Sequence, residues 1–348
     1  RSGITAWADT GGDSVAALAD EVNAANEAAE LRAALGRAQR QLAKERANRA
    51  DLIETVYRAA KDAALLVGLP EPIPRASRDR RKDELHALLH LTDWQAGKET
   101  PTYNLEVMGK RVREAVRKTI RITEIERADH PVRTIHLMLG GDLVEGIQIF
   151  PGQAYEIEAH LVEQIFVTSG LVEEVIVSLL AEYEYVHVWW VAGNHGRLGK
   201  KGDYPRGDNA DAMVCRIAQG RTKDLPRLTW HDPDPHDDWF VIVEAGAYRA
   251  AMIHGYEIPR TVPAILRKAH EWASGVLPPF NDMFYGHVHS ELVLGLKNGS
   301  AIFVTPSTES SNRYAKQVVA ALGRPAQRLH FVDPEKGRRA SERLLFLT

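Results

Sequence analysis

The sequence is almost without cysteine: Cys215 is the only one in 348 residues. A lone thiol excludes an internal disulfide framework and a Cys-rich structural zinc site, so a metal site would need His, Asp, Asn or Glu ligands. Long apolar runs are also lacking. No stretch approaches the ~18 consecutive apolar residues of a membrane span. The most apolar run, around Val186 to Ala192, is strand-sized and contains His187. The first residues show no basic-then-apolar leader pattern, so the expected location is cytoplasmic, with no membrane partner. Charge of one sign is lacking too. The net charge of −3 argues neither for nor against a nucleic-acid partner, and local charge must decide. What is present is a globular composition, 44% hydrophobic and 26% charged, with fourteen histidines. The length exceeds one ordinary domain of ~100–200 residues and fits one large α/β domain plus an appendage.

The appendage is legible in composition. Residues 12–66 are rich in Ala, Glu, Arg, Leu and Gln and contain no Pro. Leu31, Leu35, Ala38 and Leu42 fall on one helical stripe at coiled-coil spacing. Residues 1–68 are therefore expected to be helical. Three roles stay open: packing on the chain's own catalytic domain, a homo-oligomer seam, or ordering on a partner. Arg37, Arg40, Lys44, Arg46 and Arg49 form a basic cluster within this segment. Residues 69–84 read as a Pro/Arg-rich linker, because Pro70, Pro72 and Pro74 end any helix.

From residue 85 to 348 the pattern is that of a catalytic domain. Strands are expected over 86–92, 133–140, 184–191, 239–244, 248–254, 282–286, 291–296, 300–305, 328–332 and 342–347. Helices are expected over 104–129, 155–181, 208–220 and 262–274. Early βα alternation followed mostly by strands predicts a mixed-sheet α/β sandwich.

Five segments place metal-ligand side chains just after an apolar strand. They are Leu91-Thr92-Asp93-Trp94-Gln95, Gly140-Gly141-Asp142-Leu143-Val144-Glu145, Gly193-Asn194-His195, Ile253-His254-Gly255 and Gly286-His287-Val288-His289. In open α/β sheets, sites form outside the carboxyl ends of strands. Five such ends could converge there, and glycines beside the ligands allow sharp turns and close approach. Hard oxygens mixed with imidazoles suit Mn, Fe or Zn.

Together these blocks resemble the calcineurin-like metallophosphoesterase family, in the family's order, over about residues 85–310. The resemblance implies a four-layer α/β/β/α sandwich carrying two divalent ions, with Mn expected and Fe, Zn or Mg as alternatives. It implies that Asp93 and His289 bind the first metal, that Asp142 bridges, and that Asn194, His254 and His287 bind the second. His195 is the implied catalytic histidine, oriented by Glu145. Gln95 stands where the family has histidine: either its amide oxygen ligates, or the first metal is held loosely or arrives with substrate. Gly196 replaces an acid that often follows Gly-Asn-His. The implied chemistry is two-metal in-line hydrolysis of a phosphate ester.

Local charge leans towards nucleic acid. Arg197, Lys200, Lys201 and Arg206 follow His195 closely, with Asp203 opposing; such a loop could hold a phosphodiester backbone. Trp94 could stack on a base. The hydroxyl-rich segment Thr305 to Tyr314, which carries Arg313 as a candidate substrate contact, could shape the pocket floor or form an ordinary capped turn. The catalytic part also resembles phosphoesterases of bacterial viruses, which would place the protein in a host cytoplasm, and is distantly like nuclease subunits of double-strand-break repair. The leading expectation is a nuclease acting on DNA or RNA. The alternatives are a small-substrate phosphodiesterase or phosphomonoesterase, and a non-catalytic nucleic-acid-binding or assembly protein with a degenerate metal site. His90 and His136, inside strands, read as structural. His231 and His236 read as part of an acidic turn.

Overall fold

The computed structural model describes residues 83–348 except 148, 151, 200–205, 260, 297–298 and 310–323, together with 33, 35–41 and 44. The chain divides into two units, Arg1–Arg75 and Ala76–Thr348, and the architecture below belongs to the second. Most of the helical segment expected over 1–68, and nearly all of the linker over 69–84, lie outside the described residues.

Two sheets form among the described residues. The first comprises β1 (His86–Leu91), β2 (Thr134–Leu139), β3 (Tyr185–Trp190), β4 (Leu228–His231), β10 (Ala326–Asp333) and β11 (Arg338–Phe346), in the order β11-β10-β1-β2-β3-β4. β1 to β4 run parallel, and β10 pairs antiparallel with β1. Parallel strands covered on both faces read as continuous apolar runs, and every residue of β2 is buried. The second sheet comprises β5 (Phe240–Ala245), β6 (Tyr248–Ile253), β7 (Asp282–Tyr285), β8 (Leu292–Gly295) and β9 (Ala301–Val304), in the order β5-β6-β7-β9-β8. Its central strands β6, β7 and β9 are parallel.

Three apolar clusters set the layers. Outside the first sheet, Val112 and Val116 of α1 (Leu105–Glu126), Val172 and Ile176 of α2 (Leu161–Glu182) and Val214 of α3 (Ala210–Thr222) pack with Leu89, Leu137 and Val188. Between the sheets, Leu88, Met138 and Trp189 meet Val243, Met252, Phe284 and Phe303. Outside the second sheet, Ile265 and Ala269 of α4 (Val262–Glu271) cover Ala251, Ile253 and Tyr285. The result is the expected α/β/β/α sandwich.

Two expectations need correction. β4 replaces part of the acidic turn. Parallel pairing with β3 draws Leu228–His231 into the sheet, and His231 stacks on Trp189 with ring centroids 3.7 Å apart. α2 is long and apolar enough to cross a membrane by length and composition, although scattered Glu and Gln residues break every uninterrupted run. Half of its apolar window is buried, and its buried residues belong to the outer core.

Candidate metal centre

The parallel strands β1, β2, β3, β6 and β7 deliver the five motifs from their carboxyl ends, and backbone hydrogen bonds stitch the loops together. Asp93 N–H donates to Gly141 O (3.0 Å), Gln95 N–H to Asp142 O (2.9 Å) and Gly286 N–H to His254 O (3.0 Å). Among the described non-glycine residues, positive φ occurs at Asp93 (53°), Gln95 (47°), Asp142 (50°), His287 (61°), His289 (57°) and Arg227 (70°). Each such residue costs roughly 1–3 kcal/mol, and such strain clusters at functional sites. Here it falls on five ligand-type positions. Two glycines are required by contact. A Cβ on Gly193 would lie 2.1 Å from Asp142 Oδ1, and one on Gly286 would lie 2.0 Å from Asp93 Oδ2.

The structure brings together Asp142, His254 and His287, whose donor atoms all lie within 4.8 Å of one another. His254 Nδ1 donates to Gly140 O at 2.9 Å, which leaves Nε2 as the coordinating nitrogen. That Nε2 stands 2.9 Å from Asp142 Oδ2. Among the described residues, buried Asn194 Oδ1 has no hydrogen-bond partner, and buried Asp142 Oδ2 and His254 Nε2 have none beyond their mutual approach. An unmet buried lone pair costs roughly 1–3 kcal/mol, and a divalent cation would satisfy the gathered donors of Asp142, His254 and His287. The donor set, hard oxygens with imidazoles, fits Mn, Fe or Zn. Burial opposes charge on His254, but Asp142 outweighs it and pushes the imidazole up to about 10. Burial, reinforced by His254, pushes His287 down to about 3.

The Asp93 half differs. Asp93 accepts from Thr92 Oγ1 (2.8 Å) and from the His287 N–H (3.0 and 3.1 Å), and its Oδ1 lies 3.2 Å from His289 Nε2. Gln95 is in place, but its oxygen accepts from Lys98 Nζ and its amide nitrogen faces His289 Nε2, both at 3.4 Å. The expected first metal on Asp93, Gln95 and His289 therefore does not fit the side chains as they stand.

His195 and Glu145 meet as the resemblance implies. His195 Nδ1 lies 3.3 Å from Glu145 Oε2 and donates to Glu145 O at 2.9 Å, while Nε2 lies 3.9 Å from Asp142 Oδ2. Burial opposes charge on His195, but Asp142 and Glu145 outweigh it and push the imidazole up to about 9. Gln153 holds Glu145 in turn, donating to its Oε1 at 3.0 Å and to its backbone oxygen at 2.7 Å.

Asp211 is a residue that the sequence reading missed. Its buried carboxylate accepts from the N–H groups of Asp142 (2.8 Å), Leu143 (3.0 Å), Val144 (3.2 Å) and Gly193 (2.8 Å). It thereby ties the loop after β2 to the loop after β3. On sequence it reads as an ordinary acid in the first turn of α3, behind the Asn209 cap. Ser307 was read as part of the pocket floor, and its hydroxyl donates to Asp93 O at 2.7 Å. A Cβ on Gly196 would meet Asn209 Oδ1 at 2.1 Å, so an acid has no room there.

The proposed substrate contacts fare less well. Trp94 is fully buried in the outer core. It is a packing residue and offers no face to a base. Arg206 is bound by Glu257 (2.6 Å) and Asp238 (3.4 Å), so its charge is already answered by acids remote in sequence. Arg197 donates to Asn194 O at 2.9 Å and lies over the Tyr256 ring, beside the cleft. Lys200, Lys201 and Arg313 lie outside the described residues.

The layered sandwich, with its ligand-type cluster at the carboxyl strand ends, is the architecture that the resemblance to the calcineurin-like metallophosphoesterases implies. No family model matches the sequence, and no curated protein matches it. Solved structures similar to this chain include Vacuolar Protein Sorting 29 from Cryptosporidium parvum, at 14% identity and a TM-score of 0.36, covering 76% of this chain and 100% of that one. Another is Vps29 from Entamoeba histolytica complexed with zinc, at 9% identity and a TM-score of 0.35, covering 74% and 99%. A third is a dimetal phosphatase from Danio rerio, at 12% identity and a TM-score of 0.32, covering 76% and 100%. At such identity and overlap these likenesses carry nothing about activity, which must be read from the side chains.

Proposed function

We propose that this protein is a metal-dependent hydrolase of phosphate esters and, within that class, a nuclease. One observation carries the reading. Donor atoms of Asp142, His254 and His287 gather within 4.8 Å of one another at one cleft, Asn194 Oδ1 is buried without a hydrogen-bond partner among the described residues, and the His195–Glu145 pair stands beside Asp142. A divalent cation held there supplies Lewis acidity towards a phosphoryl oxygen and towards water.

The chain's own groups do the rest. His195, which Asp142 and Glu145 bias towards the protonated form in the absence of a cation, would be a proton donor to the leaving oxygen. Such general acid help is worth typically ~10²–10⁴-fold. Glu145 fixes the ring and supports its positive charge. Asp211 keeps the Asp142 and Asn194 loops in register through backbone N–H groups.

Polynucleotide as substrate is supported by the cleft rim. Arg197 lies next to the histidine loop, and half-exposed Phe150 stands edge-on to His195 at 6.4 Å. Cationic and aromatic groups together suit a phosphodiester backbone with stackable bases. The test is a panel with Mn or Mg over single-stranded DNA, duplex DNA, RNA, cyclic nucleotides and p-nitrophenyl esters. Mn-stimulated oligonucleotide cleavage, lost in Asp142→Asn and His195→Ala, is expected. Hydrolysis of a cyclic nucleotide with intact oligonucleotides would instead establish a small-substrate phosphodiesterase. No turnover even of bis-p-nitrophenyl phosphate would establish a non-catalytic protein.

A further inference from the structure

The Asp93 half of the cleft contains a closed ring of contacts. Lys98 Nζ donates to Gln95 Oε1 at 3.4 Å, and Gln95 Nε2 lies 3.4 Å from His289 Nε2. His289 Nδ1 lies 4.0 Å from Glu309 Oε2, which is 3.5 Å from Lys98 Nζ. The Lys98 and Glu309 side chains are 5% and 1% exposed. An ammonium carries three donors and no acceptor, so Lys98 dictates the orientation of the Gln95 amide. The oxygen must face Lys98, and the NH₂ must face His289. A flipped amide would set N–H against an ammonium. The residue that stands where the resemblance puts an imidazole thus presents hydrogens, with no lone pair for a metal. Lys98 is also locked in place, because its departure would strand the buried Glu309 carboxylate.

Resting on the phosphoesterase reading above, we propose that the cleft is a one-cation site. The divalent ion belongs to Asp142, Asn194, His254 and His287, and the Lys98 ammonium, held by Gln95 and Glu309, is the resident positive charge of the other half. Like charges disfavour one another strongly where water is excluded, so a second divalent ion is opposed by Lys98 as well as deprived of a ligand. Activity then saturates at one equivalent of metal, and a fixed ammonium contributes positive field without metal loading.

The deciding experiment is Mn²⁺ titration of the metal-stripped full chain, followed by calorimetry, elemental analysis and electron paramagnetic resonance. The wild type is expected to bind one tight ion per chain, with the hyperfine pattern of isolated Mn²⁺. Asp142→Asn is expected to bind none tightly. The triple variant Gln95→His, Lys98→Met, Glu309→Gln, which removes the charge and restores a ring nitrogen, is expected to bind two and show an exchange-coupled pair. A coupled pair in the wild type overturns the proposal, as does a folded triple variant that stays at one ion. If the triple variant does not fold, the wild-type spectrum alone decides. Two tight ions with hydrolysis of bis-p-nitrophenyl phosphate would overturn the one-cation site and leave the hydrolase reading standing. One ion with no turnover of any ester would do the reverse.

Discussion

The two halves of the cleft draw on the same residue types at the same kind of strand end, and they differ in what their lone pairs do. Around Asp142, among the described residues, Asp142 Oδ2 and His254 Nε2 meet each other at 2.9 Å, and Asn194 Oδ1 has no hydrogen-bond partner. Around Asp93, carboxylate, amide and imidazole are engaged with Thr92, His287, Lys98 and one another. The left-handed backbone is common to both halves, since Asp93 and Gln95 carry it as Asp142 and His287 do. The scaffold of a two-ion cleft is therefore complete, whereas the side chains are complete on one side only. A polar cluster is a metal site when its lone pairs are left over, and a structural network when they are spent on one another.

The sharpest way to break this comparison is to remove one ligand from each half. Asp142→Asn is expected to lose tight metal and at least ~10³-fold in kcat/KM, the kinetic equivalent of several kcal/mol of metal stabilisation. His289→Ala is expected to keep the tight ion and lose no more than about tenfold. Metal analysis beside steady-state kinetics checks both. Equal losses in both halves would show that the Asp93 half holds an ion of its own.

Next in size are the proton donor and its support. His195→Ala is expected to cost ~10²–10⁴-fold, and Glu145→Gln roughly 10–100-fold. The pH profile separates their roles. A protonated His195 is required, so kcat falls as pH rises through its value in the metal-loaded protein, which a cation on Asp142 lowers from the metal-free value of about 9. Removing the Glu145 charge moves that alkaline limb to lower pH, whereas a merely structural Glu145 would leave the limb in place.

Asp211→Asn comes third. An amide in that position loses the charge that four N–H groups share and turns a donor towards them. Charge-assisted hydrogen bonds are worth about 1.5–3 kcal/mol each, so a net destabilisation of about 2–4 kcal/mol is expected in denaturant melts. Tight metal should weaken in parallel, because Asp142 and Asn194 lose their common anchor.

How much of this was legible in sequence follows from where each partner lies. β1, β2 and β3 were readable because their largely buried residues, interrupted by histidines, make dense apolar runs. β4 was not, because three half-buried residues and the exposed Thr229 carry no such run and only pairing with β3 makes them a strand. α2 was placed too early. A 3-10 turn at Gln153–Tyr155 and a loop precede its start at Leu161, and Glu-rich residues there resemble a helix. The cleft ligands were readable because coordination chemistry restricts residue type and glycines flank them. Lys98, Glu309 and Asp211 were not, because each acquires its role from residues distant in the chain. Arg206 failed the same way: Asp238 and Glu257, which neutralise it, lie on other segments. Trp94 failed for the opposite reason, since adjacency to Asp93 in sequence said nothing of the turn that sends its indole into the core.

The smallest expected effect contrasts the two ends of the first sheet. At the amino ends of β1 to β3 and in β4, His86, His136, His187 and His231 stack in a row, with centroids 5.3, 4.9 and 5.3 Å apart. Burial pushes His86 and His231 down to about 4, and it lowers His136 and His187 as well. Folded values below the ordinary ~6.5 mean that the unfolded chain takes up protons first on acidification. Stability therefore falls as pH drops from about 6.5 and levels off near the folded values. Partial exposure limits the loss to on the order of 1–3 kcal/mol. In the metal-free cleft two groups have the opposite sign, while His287, pushed down to about 3, shares the acid-side sign. His195 and His254 are raised to about 9 and about 10, so their contribution is full below about 6.5 and is lost as pH rises through those values. Calorimetric melts of metal-free protein should show both slopes. His187→Gln should reduce the acid limb and leave the alkaline limb in place, and Mn²⁺ should reshape the alkaline limb. An alkaline limb that shifts in His187→Gln would mean that the two ends of the sheet do not titrate independently.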